Sequence, residues 1–299
     1  MTRHVEWNSS SWTEGNRDLR RDDRMGSRRL FILLPAYNEE EGIEKLLSRI
    51  DRICQNYAIQ TQLVIVNDGS IDRTRAVIRS FAGMPITLID FPVNRGIAAV
   101  FAAGFKWILS NGKDEDFCVT FDADNTHNPY VVLDILDKLL DGNDIVIASR
   151  FQPGGGVVGL PWFRRAMSNV VAVLLQNFVG LPNVRDYSTF YRGYRIALIR
   201  KGFESFGDRL IEGQGFSAMA TLLVKLGQLT DRIAEVPLRI RYDLKEGGSG
   251  LPILRTIRGY LWLLLRYWRG ECSPAGAGAL SPAGSGPGPA SMKGPGTKR

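Results

Sequence analysis

The chain has few cysteines and histidines and lacks a long apolar run. Its 299 residues include three cysteines and two histidines. An odd number of cysteines without metal-like spacing is typical of proteins from a reducing compartment. No uninterrupted run of about 18 apolar residues occurs, so the sequence predicts no transmembrane helix. The N-terminus also lacks the apolar core of a secretory signal, and we expect a cytoplasmic protein.

Both ends of the chain carry little that a folded core could bury. Residues 1–27 are polar and mixed in charge, and residues 271–299 consist largely of Gly, Pro, Ala and Ser. Such segments bury too little apolar surface to offset the entropy of ordering, so we predict that both are disordered. The stretch between them suits one large α/β domain, residues 28–250, followed by a helix over residues 251–270.

The chain is moderately basic, with a net charge of +7. A basic balance is compatible with a polyanionic partner such as anionic lipid or a phosphorylated substrate, and equally with ordinary solubility. The basic residues lie among apolar positions rather than on an aromatic stacking surface, and no nucleic-acid motif occurs. We therefore expect no nucleic-acid partner.

Short apolar runs alternate with segments of helical periodicity in the first half of the chain. Runs that are apolar throughout and separated by helices indicate a parallel sheet covered on both faces. Right-handed crossovers bring the C-terminal ends of such strands to one edge, where α/β proteins bind ligands. The predicted strands are Leu30–Leu34, Leu63–Val66, Ile86–Ile89, Phe117–Phe121 and Ile145–Ala148, and the predicted helices are 39–54, 71–82, 95–110 and 129–141.

A polar cluster follows each predicted strand. One cluster in this position would mean little, but five at a single sheet edge indicate a shared site. The clusters read LPAYNEE (34–40), VNDGSIDRT (66–74), FPVNRG (91–96), FDADNTH (121–127) and ASRFQPGGG (148–156).

Two carboxylates, Asp122 and Asp124, stand one residue apart in the fourth cluster. In extended backbone they would point the same way, and like charges this close repel unless a cation lies between them. Mg²⁺ and Mn²⁺ prefer oxygen ligands and often combine one or two carboxylates with substrate phosphates. We therefore predict a Mg²⁺ or Mn²⁺ site, to which Thr126 would add a hydroxyl. The alternative is a loop in which an aspartate caps the next helix, and His127 has no assigned role.

The first three clusters offer groups that suit a nucleotide. Asp68 can accept hydrogen bonds from a ribose hydroxyl or a base N–H, and Tyr37 offers a ring for stacking. Arg95 precedes a predicted helix, where a positive side chain can hold a diphosphate. Pro35 is expected to end the first strand, and Glu39 suits a helix N-terminus, which is also its simplest structural explanation.

These segments resemble the inverting family 2 glycosyltransferases of GT-A fold, and more narrowly the polyprenol- or dolichol-phosphate mannosyltransferases. The resemblance extends from residue 30 to about residue 250. It implies a mostly parallel nucleotide-binding sheet flanked by helices, followed by a C-terminal amphipathic helix. The matching segments are LPAYNEE, VNDGSIDRT, NRGIAAVFAAGF, DADNTHNP, SRF with GGG, DYSTFYRGYR (186–195) and EVPLRIRYDLKEGGSG (235–250).

The resemblance also implies roles for individual residues. The nucleotide-sugar donor would be held by Pro35, Tyr37, Glu39, Asp68 and Arg95, and the metal on its diphosphate by Asp122, Asp124 and Thr126. The phosphate of a lipid acceptor would meet Arg150, Arg164 and Ser168, while Asp186, Thr189 and Arg192 would lie near the sugar or the acceptor. The residues expected to act in catalysis are Asp122, Asp124, Arg150 and Asp186.

Three positions depart from the family pattern. Asn67 stands where an aspartate often precedes Asp68, and Thr126 stands where the family can carry Gln or Ser. Gly250 occupies the place of a Lys or Arg that often follows the serine of EGGSG, which puts that basic contact in doubt. Lys245 is a candidate substitute for it.

Two basic and apolar segments predict contact with an anionic membrane surface. On a helix over residues 251–269, four arginines form one stripe beside Leu, Ile, Tyr and Trp, and residues 160–180 place two arginines before an apolar stretch. Such helices lie at a bilayer interface, although a core-packed helix with a solvated arginine face would show the same pattern. We expect a peripheral enzyme at the cytoplasmic face of the membrane. A partner that anchors it to the membrane is compatible with this expectation. The stripe consists of Arg255, Arg258, Arg266 and Arg269.

The expected activity is metal-dependent, inverting transfer of a sugar to polyprenyl or dolichyl phosphate, with GDP-mannose as the first candidate donor. A phosphate monoester is largely ionised at neutral pH, so such an acceptor needs little help from a general base. No residue identifies the base or the sugar, so UDP-glucose, UDP-N-acetylglucosamine or a saccharide acceptor stays open. A non-catalytic protein that binds a nucleotide or an anionic membrane is the third hypothesis, and it would not need the aspartate pair.

Overall fold

The computed structural model describes residues 24–124, 126–213, 215–242 and 253–273. Within them, seven strands form one sheet in the order β3-β2-β1-β4-β7-β5-β8, and β6 and β9 form a separate two-stranded ribbon. The strands are β1 Leu30–Ala36, β2 Thr61–Asn67, β3 Ile86–Asp90, β4 Phe117–Thr120, β5 Ile145–Ser149, β6 Gly156–Val158, β7 Arg192–Arg195, β8 Ile233–Pro237 and β9 Arg239–Arg241.

Eight α-helices connect or flank these strands in the described residues. A short 3₁₀ helix, Gly207–Leu210, lies between the sixth and the seventh. The helices are α1 Ile43–Asn56, α2 Thr74–Ser80, α3 Ile97–Asn111, α4 Val131–Leu140, α5 Trp162–Val179, α6 Ile196–Phe206, α7 Phe216–Gly227 and α8 Ile253–Trp268.

The main sheet is parallel except for β7, which runs antiparallel between β4 and β5. Strand β1 shows why the sheet is covered on both faces, because successive residues enter opposite cores. Phe31 and Leu33 belong to one core, whereas Ile32 and Leu34 belong to the other. The five predicted strands and four predicted helices are confirmed, with their ends displaced by a few residues.

Pro35 does not end the first strand, contrary to the prediction. It lies inside β1, opposite Val66 of β2, and the strand continues to Ala36. A proline is tolerated there because the pairing of β1 with β4 stops at Leu33 and Thr120. Beyond that point one side of β1 makes no ladder hydrogen bonds, so the missing N–H costs nothing.

At both ends of the chain, the folded part extends further than the sequence predicted. Met25 is buried, and Arg24 forms an ion pair with Asp141 at 2.8 Å, so the fold extends into the segment predicted to be disordered up to residue 27. At the other end Cys272 is 1% exposed, and its carbonyl accepts a hydrogen bond from Gln228 at 2.9 Å. The remaining parts of both predicted segments lie outside the described residues.

The C-terminal helix α8 packs on the domain, against α5 and α7. This position corrects the predicted arginine stripe, because Arg266 is buried and paired with Glu212 at 2.6 Å and Glu271 at 2.9 Å. Arg258 and Arg269 are exposed, as predicted, while the side chain of Arg255 lies outside the described residues. None of the described helices combines the length and the apolar character that crossing a bilayer requires.

Candidate active site

The loops after β1, β2 and β3 meet at one edge of the sheet, and together (residues 37–42, 68–73 and 91–96) we call them the donor loops. Backbone hydrogen bonds to side chains join the first two. The Asn38 N–H donates to Ser70 Oγ at 3.0 Å, and the Ile71 N–H donates to Asn38 Oδ1 at 3.0 Å. The Glu39 N–H donates to Thr74 Oγ1 at 2.7 Å. The sequence clusters that were expected to converge therefore do so.

Asp68 connects the second donor loop to the third. Its carboxylate accepts the N–H of Arg95 at 2.7 Å and the N–H of Gly96 at 2.9 Å, just before α3 begins. Gly69 has a φ of +69°, and a Cβ at this position would lie 2.4 Å from the carbonyl carbon of Val93. Asp68 thus shapes the third donor loop. Its carboxylate has lone pairs beyond those used here, which could accept a hydrogen bond from a ligand.

The side chains predicted to bind a nucleotide line this edge. Tyr37 is 45% exposed, so its ring is open to a stacking partner. Arg95 is exposed, and its guanidinium carbon lies 4.9 Å from the centroid of the Phe91 ring. Their predicted contacts with a donor stay predictions, as does the role of Glu39.

Asn67, one of the departures from the family pattern, has a clear structural role. It is fully buried, and its amide donates to Asp90 Oδ1 at 2.8 Å while its oxygen accepts a hydrogen bond from the Ser70 hydroxyl. An aspartate in this position would face the Asp90 carboxylate at the same distance. The amide therefore removes a repulsion between like charges.

The aspartate pair lies just beyond β4, which is the strand next to β1. Strand β4 ends at Thr120, and residues 123 and 124 form a bend, so strand alternation does not set the direction of the two carboxylates. Instead, Asp124 Oδ1 accepts the Thr126 hydroxyl at 2.6 Å and the Thr126 N–H at 3.1 Å. Thr126, predicted as a metal ligand, first of all orients Asp124.

His127 packs behind Asp122. Its ring is 4% exposed and meets Tyr191 edge-on, with 5.6 Å between the ring centroids. Its Nδ1 atom lies 3.9 Å from Asp122 Oδ2, while the Asp122 side chain keeps 30% of its surface exposed. The histidine without an assigned role therefore lies beside one of the two carboxylates.

The residues of this loop suit Mg²⁺ or Mn²⁺ as part of a larger complex. Asp122 and Asp124 supply carboxylate oxygens, which hard divalent cations prefer. In the described part of the chain, no group of three His, Cys, Asp or Glu side chains is placed to hold a metal ion. An ion at Asp122 and Asp124 would therefore need further oxygen ligands, which water or a bound diphosphate can supply.

On the other side of the sheet edge, Arg150 follows β5 and forms a buried ion pair with Asp186. The distances are 2.7 Å from Nε to Oδ2 and 2.8 Å from Nη2 to Oδ1, and the two side chains are 12% and 0% exposed. Burial opposes ionisation of Asp186, but the charge and hydrogen bonds of Arg150 outweigh it and lower the pKa of the carboxyl group. The pair is therefore charged on both sides.

Two serines complete the surroundings of Arg150. Nη1 donates to Ser168 of α5 at 3.1 Å, and Nη2 donates to Ser188, whose hydroxyl also donates to Asp186 at 3.0 Å. We call these four residues (Arg150, Ser168, Asp186 and Ser188) the Arg150 cluster. Of the five guanidinium N–H groups, Nε uses one, Nη2 two and Nη1 one, which leaves one on Nη1.

The structure therefore brings together the predicted acceptor residues Arg150 and Ser168. The side chain of Arg164, predicted beside them, lies outside the described residues. Asp186 is fully buried and holds Arg150 in place, so its predicted part in catalysis would be exerted through that arginine.

Two residues expected near the sugar or the acceptor lie in the protein interior. Arg192 is fully buried, and its guanidinium donates to the carbonyls of Met219 at 2.6 Å and Tyr187 at 2.8 Å. Thr189 is 5% exposed and accepts the Tyr191 N–H at 3.2 Å. The family resemblance implied a place near the sugar or the acceptor for both residues, but both side chains are buried and hydrogen-bonded to backbone groups.

Sequence reasoning missed two residues that build the site. Ser188 lies in the segment DYSTFYRGYR, but nothing in the pattern distinguishes it from its neighbours. Glu235 on β8 accepts the N–H groups of Arg185 at 2.6 Å and Asp186 at 2.9 Å, and so fixes the backbone that carries Asp186. The segment EVPLRIRYDLKEGGSG contains this glutamate, but only the contact reveals its role.

Comparison with known proteins agrees with this geometry. The model of glycosyl transferase family 2 matches residues 31–203, which is more than half of the chain. The chain is 29% identical over 246 residues to the dolichol-phosphate mannosyltransferase of Pyrococcus furiosus, covering 81% of this chain and 65% of that protein. It therefore spans slightly less than two thirds of that relative.

Two bacterial relatives are covered more completely. Polyprenol monophosphomannose synthase of Mycolicibacterium smegmatis is 27% identical, with 71% of this chain and 77% of that protein aligned. Undecaprenyl-phosphate mannosyltransferase of Micrococcus luteus is also 27% identical, with 81% and 97% aligned.

Among solved structures, glucosyl-3-phosphoglycerate synthase from Mycobacterium tuberculosis in complex with Mn²⁺, UDP and phosphoglyceric acid shares the fold. The TM-score is 0.60 at 16% identity, with 89% of this chain and 84% of that chain covered. Its complex with Mg²⁺ and UDP gives a TM-score of 0.58 at 17% identity, with 86% and 83% covered. The architecture is thus that of a GT-A enzyme. The chain belongs to glycosyl transferase family 2 and is a glycosyltransferase.

Proposed function

We propose that this glycosyltransferase transfers mannose from GDP-mannose to a polyprenyl phosphate, with inversion at the anomeric carbon. The observation that carries the proposal is the Arg150 cluster, which offers a guanidinium N–H and a serine hydroxyl as hydrogen-bond donors at the same sheet edge as the aspartate pair. A phosphate-bearing acceptor needs such a group, whereas a neutral sugar hydroxyl does not. The three mannosyltransferase relatives act, by their names, on polyprenol-type phosphates.

In this proposal the acceptor phosphate is the nucleophile. Its second pKa is near 6, so at neutral pH an oxygen is ionised without a general base. That oxygen forms a bond to the anomeric carbon while the bond from this carbon to the donor diphosphate breaks. The bonding electrons leave with the diphosphate, and attack from the opposite face inverts the configuration.

The main electrostatic task is to bring two anions together. Among the described residues, the contacts of Arg150 leave one N–H on Nη1, and Ser168, which accepts from Nη1, keeps its own O–H to donate. Both can meet one phosphate. Because Asp186 fixes the guanidinium by two hydrogen bonds, little side-chain freedom would be lost on binding.

The donor would occupy the opposite half of the edge. Tyr37, Asp68 and Arg95 belong to the donor loops and would face the nucleoside and the diphosphate. A Mg²⁺ or Mn²⁺ ion at Asp122 and Asp124 would neutralise the charge that develops on the leaving diphosphate. The Thr126 hydroxyl donates to Asp124 Oδ1, and in this proposal it orients that carboxylate for the metal.

The acceptor also calls for a surface that meets lipid. Helices α5 and α8 contact each other and expose large apolar side chains to solvent. Exposed apolar side chains on a pair of adjacent helices, flanked by Arg258 and Arg269, are typical of helices that lie in the bilayer interface. We propose that this face rests on an anionic membrane at the cytoplasmic side. The exposed residues are Trp162, Val170, Val173 and Phe178 of α5 and Leu261, Trp262, Leu265 and Trp268 of α8.

A donor screen tests the activity. The protein is incubated with polyprenyl phosphate, Mg²⁺ or Mn²⁺, and labelled GDP-mannose, UDP-glucose or UDP-N-acetylglucosamine in turn. We expect label in the lipid extract with GDP-mannose, and none after chelation of the metal. If the label stays in the aqueous phase with every donor, the lipid acceptor is wrong.

A second donor class is supported by one observation. The structural neighbour was also determined in complex with Mn²⁺ and UDP-glucose, which shows that this fold accepts a uridine nucleotide in that protein. Thermal shifts with GDP and UDP in the presence of Mn²⁺ would rank the two bases. A larger shift with UDP would favour UDP-glucose or UDP-N-acetylglucosamine as the donor.

Flotation with vesicles tests the membrane surface. The protein is mixed with vesicles of neutral lipid or of neutral and anionic lipid, and the bound fraction is measured. We expect binding to anionic vesicles and a loss of binding when Trp268, which is 77% exposed, is replaced by Glu. Equal recovery of both proteins with the vesicles would exclude this part of α8 from the contact.

A further inference from the structure

Glu235 of β8 joins the two segments that carry the Arg150 cluster. Its Oε1 atom accepts the N–H of Arg185 at 2.6 Å and the N–H of Asp186 at 2.9 Å. Its Oε2 atom accepts the side-chain amide of Gln152 at 3.0 Å. Gln152 lies two residues beyond Arg150 in the loop after β5. One carboxylate therefore holds both the backbone of Asp186 and the loop that carries its partner Arg150.

The peptide group between Arg185 and Asp186 is held from both sides. Its N–H donates to Glu235, and its carbonyl accepts the side-chain amide of Gln176 in α5 at 2.9 Å. The N–H and the carbonyl of a trans peptide point in opposite directions in one plane. Strand β8 and helix α5 therefore fix the orientation of this peptide plane, and with it the place from which the Asp186 side chain starts.

The loop after β5 is held against the end of β8. The Ser149 carbonyl accepts the N–H of Leu238 at 2.9 Å, and the Leu238 carbonyl accepts the N–H of Gly156 at 2.9 Å. These two bonds fix the ends of the loop, and the bond from Gln152 to Glu235 fixes its middle. The loop that begins with the arginine is thus attached to the same strand as the aspartate segment.

The ion pair depends on the distance between these two segments. Asp186 Oδ2 accepts both the backbone N–H of Arg150 at 3.1 Å and its Nε at 2.7 Å. Hydrogen bonds of this length tolerate only small shifts, so the guanidinium must follow the backbone of Asp186. A displacement of about 1 Å in a substrate-positioning group can cost about a hundredfold in rate. The contacts of Glu235 set the distance on which this geometry depends.

We propose that Glu235 is a positioning residue for the acceptor phosphate. It does not touch the phosphate, but it holds both segments so that Arg150 Nη1 and the hydroxyl of Ser168 face the same ligand. This inference rests on the proposed function, because it assigns the Arg150 cluster to the acceptor. Its consequence is that β8, which supplies none of the four residues of the cluster, sets the geometry of the acceptor site.

Two matched variants, Glu235→Ala and Asp116→Ala, test the proposal. Asp116 also accepts two backbone N–H groups, from Arg29 at 2.8 Å and Lys113 at 2.9 Å, but it precedes β4 at the opposite edge of the sheet. Initial rates are measured at varied polyprenyl phosphate and at varied donor. For Glu235→Ala we expect the acceptor KM to rise by about tenfold, because three hydrogen bonds are lost, and the donor KM to stay unchanged. For Asp116→Ala we expect lower stability in urea unfolding and no change in either KM.

The conservative variant Glu235→Gln shows whether hydrogen bonding is the cause. Its amide oxygen can still accept both backbone N–H groups, and the Gln152 side chain can turn to accept a hydrogen bond from the new NH₂ group. We expect an acceptor KM within about threefold of wild type. A rise as large as that of Glu235→Ala would show that the charge acts rather than the positioning, and would overturn the proposal.

Two further results would overturn it: an unchanged acceptor KM in Glu235→Ala, and an equal rise in Asp116→Ala. If Glu235→Ala does not fold, Gln152→Ala decides in its place, because it breaks only the bond between Glu235 and the loop after β5. Its acceptor KM should rise by about threefold, and no rise would overturn the proposal. Failure of the proposed function looks different, because the wild-type enzyme would then use another acceptor. The same variants, compared with that acceptor, then decide whether Glu235 positions Arg150 for it.

Discussion

Replacing Asp186 by Asn should destabilise the protein strongly, because it leaves the charge of Arg150 buried. The Arg150 side chain is only 12% exposed, and both Asp186 oxygens accept hydrogen bonds from it. An amide offers one acceptor atom, and its NH₂ group would face an N–H of the guanidinium. Removing one partner of a buried ion pair typically costs about 3–5 kcal/mol. Since Ser168 and Ser188 still bind Arg150, we expect a loss of about 3 kcal/mol.

Urea unfolding at neutral pH measures this loss as a change in the free energy of unfolding. The matched control is Asp208→Asn, which also removes a carboxylate from an ion pair, at 2.7 Å from Lys106. Asp208 is exposed, so its contribution is screened by solvent and no measurable change is expected. A loss below about 1 kcal/mol for Asp186→Asn, the value typical of exposed pairs, would refute the role given to burial.

The pH dependence of the same difference provides a second check. The folded-state pKa of Asp186 is lowered, so its ionisation stabilises the fold at every pH above the unfolded-state value of about 3.9. This stabilisation is lost as the pH falls through the lower folded-state pKa. The difference between wild type and Asp186→Asn should therefore be constant from pH 6 to pH 8 and shrink in acid below about pH 4.

Three further predictions follow from single contacts. Thr126→Val removes the hydroxyl that orients Asp124, and we expect the Mn²⁺ concentration for half-maximal activity to rise by about tenfold or more. The control is Thr61→Val, which removes a threonine hydroxyl bonded to the Ile59 carbonyl and should leave the Mn²⁺ requirement unchanged. Gly69→Ala places a Cβ 2.4 Å from backbone of the third donor loop, so it should destabilise the protein more than Gly142→Ala, where φ is also positive but no atom lies within 4 Å. Glu212→Gln removes the carboxylate that two buried cations share, Lys225 of α7 and Arg266 of α8. The free energy of unfolding in urea should fall by about 3 kcal/mol.

Each of these predictions has an outcome that would contradict it. If the Thr126→Val protein needs the same Mn²⁺ concentration as wild type, the Thr126 hydroxyl does not contribute to metal binding. Equal stability of the Gly69→Ala and Gly142→Ala proteins would mean that the donor loops can move apart without cost. If Glu212→Gln lowers the free energy of unfolding no more than the loss of an exposed ion pair does, Lys225 must find a substitute partner although its side chain is 1% exposed.

The sequence predicted the strands and helices of the first half of the chain well for a definite physical reason. Strands β1 to β5 are apolar throughout because helices cover both faces, and this pattern is visible without the structure. Parallel strands must place their C-terminal ends at one edge, so the polar clusters after them had to converge. The position of the donor loops and the aspartate pair at one edge of the sheet follows from these two facts.

The sequence also carried the resemblance that identified the family, because the motifs at this edge are contiguous. LPAYNEE, VNDGSIDRT and DADNTHNP each bring their own residues with them. Even so, the sequence did not show that Asp68 binds the backbone of the third donor loop or that Thr126 supports Asp124. Such contacts depend on how two loops pack, which no local pattern encodes.

The surroundings of Arg150 were decided by the tertiary structure. Strand β7 inserts antiparallel between β4 and β5, which sends Asp186 and Ser188 to the ligand edge but turns Arg192 into the core. Glu235 of β8 accepts the N–H of Asp186 and so fixes the backbone that carries it. The two residues are 49 positions apart in the chain, and only packing brings them together.

The same distinction holds for the charges. Counted along a helix, Arg266 belongs to the basic stripe with Arg258 and Arg269, and helical periodicity alone cannot separate them. The fold separates them because Glu212, from the loop before α7, lies 2.6 Å from Arg266 and compensates its burial. The sequence by itself thus determined the family, the five parallel strands β1 to β5 and the edge at which the polar clusters lie, which depend on local pattern. Only the tertiary structure decided which charges face a ligand or lipid, because that depends on partners distant in the chain.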